Sequence, residues 1–218
     1  MFPYFLHTLT TNLSTLWTSH TFTPYLSAFP SSHTTSPSTF LSHINHLVST
    51  DTKTAPLKNL QGYIWLSGYE SGELKCPLFK DVLPAFKRWR EQGKRIVIYS
   101  SGSVAAQKLL FRYTEDGDLT GFLEGYFDTV NAGMKGERES YTKIFEAMRE
   151  VEGDGKSVED IGRWLFCSDR VEEVDAAREA GMQAVVVVRE GNAPLSEGDR
   201  ERHVLVEGVD EIGSVEVK

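Results

Sequence analysis

Two strand-like runs in this sequence end in residues that can handle phosphate. Ser100-Ser101-Gly102 follows Arg95-Ile96-Val97-Ile98-Tyr99, and Ser168-Asp169 follows Trp164-Leu165-Phe166-Cys167. Lys135 lies in the loop that precedes a helical stretch starting near Glu137. Serine hydroxyls and backbone N–H groups at a helix start bind phosphate oxygens. A lysine adds a point charge to the same anion. A carboxylate at a strand end can hold Mg²⁺, which takes oxygen ligands. Singly, each residue has an ordinary reading: the serines as helix caps, Lys135 as a solvated lysine, Asp169 as another cap, Arg189 as an exposed arginine. Together, in the order Ser, Lys, Asp at strand ends, they favour a phosphate site. Ser101-Gly102-Ser103-Val104 lacks the glycines of a dinucleotide loop.

Such residues converge only if the elements beneath them alternate. Apolar residues at 79, 82, 83, 86 and 89 share one helical face, with Gly93 where a C-terminal glycine belongs. The run 95–99 reads as a buried strand, 103–113 as a helix and 125–129 as a short strand. Tyr141, Ile144, Phe145 and Met148 share a face of a helix over 137–150. A strand at 164–167, a helix at 171–180 closed by Gly181 and a strand at 184–188 complete the pattern. This rhythm predicts an α/β fold, one parallel sheet flanked by helices. Ligands of such sheets sit at the carboxyl ends of the strands, so Ser100, Ser101, Lys135 and Asp169 are expected on one edge. The Arg189-Glu190-Gly191-Asn192 loop follows the third strand.

The N-terminal quarter differs in kind. Residues 1–50 hold no Asp, Glu, Lys or Arg, 20 Ser or Thr, and five of the six histidines. All 54 charged side chains lie beyond them. Ser and Thr interrupt every apolar run, which argues against a secretory signal or a membrane span, and a transit peptide needs arginines. Phe5, Leu6, Leu9, Leu13 and Leu16 recur at roughly helical spacing, and Phe40, Leu41, Ile44 and Leu47 suggest a second helix. The histidines lack ligand spacing and read as part of a solvated helical layer. We therefore expect a mainly helical cap over 1–72 and a sheet core over 73–218. A net charge of −8 disfavours nucleic acid. Cys76 and Cys167 form no metal or disulfide framework, and a reducing cytosol fits.

An apolar strand ending in Ser, then a Lys, then an apolar strand ending in Asp resembles the second, third and fourth motifs of the haloacid dehalogenase superfamily. Within it, the chain is similar to the acireductone synthase (enolase-phosphatase) family. The stretches that carry this likeness are Leu60-Gln61-Gly62-Tyr63-Ile64-Trp65, Tyr99-Ser100-Ser101-Gly102-Ser103-Val104, Gln107-Lys108-Leu109-Leu110-Phe111, Gly125-Tyr126-Phe127-Asp128-Thr129, Glu139-Ser140-Tyr141 and Val188-Arg189-Glu190-Gly191-Asn192-Ala193. Met1-Phe2-Pro3-Tyr4 resembles the start of the family's cap. The resemblance implies that Ser100 and Ser101 bind the substrate phosphate and that Lys135 neutralises it. It implies Asp169 as an Mg²⁺ ligand, with Glu173 bearing on the metal's water shell. It further implies enolisation and dephosphorylation of 2,3-diketo-5-methylthiopentyl-1-phosphate in methionine salvage. The expected partner is a small phosphorylated substrate, with no nucleic acid and no membrane, in a monomer of the cytoplasm and also the nucleus.

The family's first motif, an apolar strand followed by Asp-x-Glu-Gly-Thr, does not occur in these residues. Its Asp is the nucleophile that becomes aspartyl-phosphate. We therefore expect a core whose first strand is absent, with two neighbours left unpaired and little turnover. Asp116-Gly117-Asp118-Leu119-Thr120-Gly121 mimics the superfamily's nucleophile pattern, but it follows no buried strand and reads as a polar turn. Two classes stay open on sequence: a phosphatase whose sequence here lacks its first motif, or a non-catalytic remnant that binds phosphate or a protein partner.

Overall fold

The computed structural model describes residues 2–150 and 160–213. The chain packs as two units, Met1–Cys76 and Pro77–Lys218.

The first unit is helical: α1 (Phe2–Leu16), α2 (Thr23–Ser27), α3 (Pro37–Ser49) and α4 (Ala55–Glu70). The spacing of Phe5, Leu9 and Leu13 puts them on one buried face of α1. Ser36 caps α3 by accepting from the Thr39 N–H, with Pro37 at a first-turn position that needs no donor. Thr54 caps α4 in the same way. Gly68 of α4 is where the Tyr4 ring lies. A Cβ there would sit 2.6 Å from the tyrosine oxygen, which donates to Glu73 at 2.8 Å. The His33 and His43 rings stack with centroids 3.9 Å apart. Among the described residues no group of three His, Cys, Asp or Glu is placed to hold a metal.

The second unit runs α5 (Val82–Glu91), β1 (Val97–Tyr99), α6 (Val104–Arg112), β2 (Gly125–Phe127), α7 (Arg138–Glu150), β3 (Leu165–Ser168), α8 (Val171–Glu179), β4 (Gln183–Val187), α9 (Glu197–Arg202) and β5 (Leu205–Val206). The strands pair in parallel, as the alternation of strands and helices predicts. Helix α5 begins later than the apolar spacing suggests, at Val82. The Pro84 ring would clash with the Lys80 carbonyl if the helix reached back that far. Phe79 is consequently 54% exposed.

The strands do not all join one sheet. The strands form two ladders, β1–β2 and β3–β4–β5. Among the described residues no strand lies between β1 and β3, where the resemblance puts the first-motif strand. Burial follows this break. Ala184, Val185 and Val186 of β4 are buried, whereas Val97, Ile98 and Tyr99 of β1 are all only half-buried. Tyr141 of α7 bridges the ladders. It is 1% exposed and packs edge-on against Tyr99 of β1 (5.5 Å) and Phe166 of β3 (4.9 Å).

Candidate functional site

Ser100, half-buried, follows β1, and its N–H donates to the Phe127 carbonyl at the end of β2 (3.0 Å). The Ser100 hydroxyl accepts from the Gly102 N–H at 3.1 Å, which turns the chain toward α6. Ser103 caps α6 by accepting from Ala106. Ser101 is exposed in the turn between them. Two N–H groups at this helix start are engaged internally, Ala106 by Ser103 and Val104 by the Asp128 carboxylate at 2.9 Å. The serine hydroxyls are therefore the stronger candidates for anion contact than these two amides.

Lys135 sits in a loop held by three hydroxyls on three successive carbonyls. Tyr99 donates to Gly133 (2.8 Å), Ser140 to Met134 (2.8 Å) and Tyr141 to Lys135 (2.6 Å). Gly133 has φ +122, a conformation that L side chains rarely adopt, and a Cβ there would meet the Ser140 hydroxyl at 2.5 Å. The Lys135 ammonium lies 5.6 Å from the Tyr99 ring centroid and 5.9 Å from that of Phe166, so it adjoins both ladders. It pairs with Glu173 of α8. Burial pushes the Tyr99 and Tyr141 hydroxyls above the ordinary phenol range, so both stay protonated donors at neutral pH.

Asp169 follows β3 and is exposed. Its Oδ2 accepts from the Asn192 side-chain amide at 3.0 Å, and the Asn192 Oδ1 accepts from the Arg189 N–H at 2.6 Å. The loop after β4 thus reaches the end of β3. Glu173 lies on the first turn of α8 and reaches back to the end of β3. Its Oε2 accepts from Ser168 at 2.6 Å as well as from Lys135. Asp169 fits a divalent cation as one oxygen ligand, because Mg²⁺ is commonly held by one or two carboxylates, substrate phosphate and water. A fuller protein cage is not present among the described residues.

The Arg189 side chain pairs with Asp81 and covers the Phe79 ring at 4.4 Å. A surface cavity of about 650 Å³ opens there, lined by Asp81, Arg189, Gly208 and Glu211 among others. In the Asp116–Gly121 stretch residues 116–118 are exposed and Leu119 is buried; Gly117 has φ +93, and Asp118 accepts from the Thr120 N–H and hydroxyl. Sequence reasoning did not single out Tyr99, Gln107, Asp128 or Asn192 for roles at the site. Their partners lie up to 34 residues away, and only their membership of family-like stretches hinted at them.

No family model matches the chain. Curated relatives do. It is 52% identical over 225 residues to an enolase-phosphatase E1 of Botryotinia fuckeliana, covering 97% of this chain and 85% of that one. It is 48% identical to the enolase-phosphatase E1 of Neurospora crassa, over 99% of this chain and 90% of the relative. Among solved structures, the UTR4 protein of Saccharomyces cerevisiae superposes with a TM-score of 0.81 at 35% identity, covering 95% and 88% of the two chains. A haloacid dehalogenase phosphatase of Thermococcus onnurineus shares the fold, with a TM-score of 0.57 at 14% identity over 82% and 80%.

Proposed function

The chain belongs to the enolase-phosphatase E1 family of haloacid dehalogenase-fold hydrolases, and on that premise we propose that Ser100, Ser101, Lys135 and Asp169 are its phosphate and metal residues. The reaction is the family's: enolisation of 2,3-diketo-5-methylthiopentyl-1-phosphate and removal of its phosphate, a step of methionine salvage. The helices α1–α4, within residues 1–72, are proposed as the family's cap.

The single observation that carries the site reading is the setting of Lys135. Its loop is fixed by three hydroxyls, and its ammonium adjoins Tyr99, whose next residue is Ser100. A phosphate received by the Ser100 and Ser101 hydroxyls meets that charge without first ordering the loop, so less entropy is lost on binding. Glu173 and Ser168 orient the lysine head from the β3 side. Asn192 does the same for Asp169. Mg²⁺ is the cation proposed at Asp169; when bound it supplies Lewis-acid stabilisation of an enediolate and charge neutralisation on phosphoryl oxygens. Phosphoryl transfer in the family goes to the aspartate of the first motif, and Asp-x-Glu-Gly-Thr is not among these 218 residues.

The test is calorimetric titration of residues 1–218 with inorganic phosphate. Lys135→Met is expected to weaken binding by roughly tenfold or more, the loss of a partly desolvated charge contact. Equal affinity in the variant and the unsubstituted chain overturns the reading. In parallel, a polypeptide extended upstream by an Asp-x-Glu-Gly-Thr strand is expected to release phosphate from the diketo-phosphate, and Asp169→Asn to abolish that release.

A further inference from the structure

We propose that Asp128 is a positioning residue that couples the serine loop to the lysine loop, so that the two phosphate contacts are held at one fixed spacing. The proposal rests on the phosphate reading above and adds a residue to it.

Asp128 lies directly after β2 and is 6% exposed. Its two oxygens face different segments. Oδ2 accepts from the Val104 N–H, the first residue of α6, at 2.9 Å. Oδ1 accepts from the Val130 N–H at 2.8 Å and the Asn131 N–H at 3.1 Å. The first set anchors the Ser100–Ser103 turn. The second starts the turn that runs through Gly133 to Lys135. Asn131 returns the contact, its side-chain oxygen accepting from the Asp128 N–H at 2.7 Å.

A second buried side chain closes the same unit. Gln107, 5% exposed, donates its amide hydrogens to the Gly102 carbonyl (2.9 Å) and the Phe127 carbonyl (2.8 Å). The serine loop is thus tied to the end of β2 by the Ser100 N–H, by Gln107 and by Asp128, and the lysine loop by the Asp128 carboxylate and by Asn131. A carboxylate at the start of α6 also complements the positive end of that helix. That charge sits near the proposed anion site. Its use there is to take up the Val104 N–H and hold the backbone, a task a ligand would otherwise compete for.

The carboxylate's two-sided geometry sets up the test. Alanine removes both acceptors. Asparagine keeps one oxygen and replaces the other with a donor, so it can hold only one of the two loops. Backbone amide exchange followed by NMR on the 218-residue chain reads each loop separately. Asp128→Ala is expected to speed exchange of the Val104, Val130 and Asn131 amides together, by roughly tenfold or more, with the β3–β4 amides unchanged. It is expected to weaken inorganic phosphate binding by a similar factor. Asp128→Asn is expected to speed exchange in one loop only, with an intermediate phosphate affinity. Should Asp128→Ala fail to fold, the asparagine variant carries the test alone. An asparagine variant with both loops and phosphate affinity at unsubstituted values overturns the coupling. So does an alanine variant with loosened loops and unchanged phosphate affinity. If the unsubstituted chain binds no phosphate while exchange follows the pattern above, the phosphate reading falls and the mechanical coupling stands.

Discussion

Lys135 and Glu173 form an ion pair whose side chains are 20% and 16% exposed, and Ser168 donates to the same glutamate oxygen at 2.6 Å. One carboxylate oxygen thereby joins the lysine loop, the end of β3 and α8. A pair so far removed from water has two sides to its energetics. Desolvation offsets much of the attraction, but deleting one partner strands the other charge.

Glu173→Gln keeps an acceptor for Ser168 and removes the charge. Lys135→Met leaves the carboxylate without its cation. We expect Lys135→Met to lower unfolding free energy by about 1–3 kcal/mol, below the range for fully buried pairs because water still reaches this one. Glu173→Gln should cost less. The double variant should recover part of the lysine loss. Urea unfolding of all four proteins checks the cycle, and strictly additive losses would show that the pair contributes nothing.

Gly133→Ala probes the hydroxyl clamp. The residue combines φ +122 with a Cβ position 2.5 Å from the Ser140 hydroxyl. Strain and displacement together are expected to cost about 1–3 kcal/mol. Because Ser140 also holds the Met134 carbonyl, phosphate affinity should fall with stability. A stable variant with full affinity contradicts the clamp.

Acid stability tests Asp81. Burial raises its carboxyl, but the Arg189 hydrogen bond and the Val209 N–H outweigh that and hold it below the ordinary 3.8. The folded value lies under the unfolded one, so the contribution is fully present above about 3.8. It is lost as pH falls below that value through the folded one. Asp81→Asn should therefore flatten the loss of stability in this acid window and lower stability at neutral pH. Denaturant midpoints from pH 2.5 to pH 7 would measure both.

Cys167 of β3 is expected to resist alkylation. Burial pushes its thiol up to about 12, so at pH 8 the reactive thiolate is a fraction on the order of one in ten thousand. Iodoacetamide should label it only in denaturant. Rapid labelling of the native protein at pH 8 would contradict this.

The strand ends carrying Ser100 and Asp169 were legible because β-branched and apolar runs stop there and polar residues begin. Two elements were not. Helix α9 is Glu-Gly-Asp-Arg-Glu-Arg with no apolar face to give a period, and β5 is only two residues long. The start of α5 was misjudged because Phe79 matches the helical period while Pro84 forbids the turn that would use it. Unpaired neighbours were expected because Asp-x-Glu-Gly-Thr does not occur among these residues, while regular alternation of strand and helix by itself suggests one sheet. At the proposed site, residue type and loop position singled out Lys135. Its fixing by Tyr99, Ser140 and Tyr141, and the tie through Asp128, join backbone groups that only the folded chain brings together.

The break between the ladders has a consequence for how the second unit comes apart. Continuous sheets transmit disruption from strand to strand through their hydrogen bonds, which helps make unfolding all-or-none. Here that route is cut. What spans the break includes Tyr141, packed on a ring from each ladder, and the Lys135–Glu173 pair. The β3–β4–β5 ladder keeps its own dry layer, Val174, Ala177, Ala184 and Val186, while β1 and β2 rest on smaller apolar clusters around Phe127 and Phe86. The unit should therefore melt in two steps, with the β1–β2 half opening first, and fluorescence and circular dichroism should trace transitions that do not coincide.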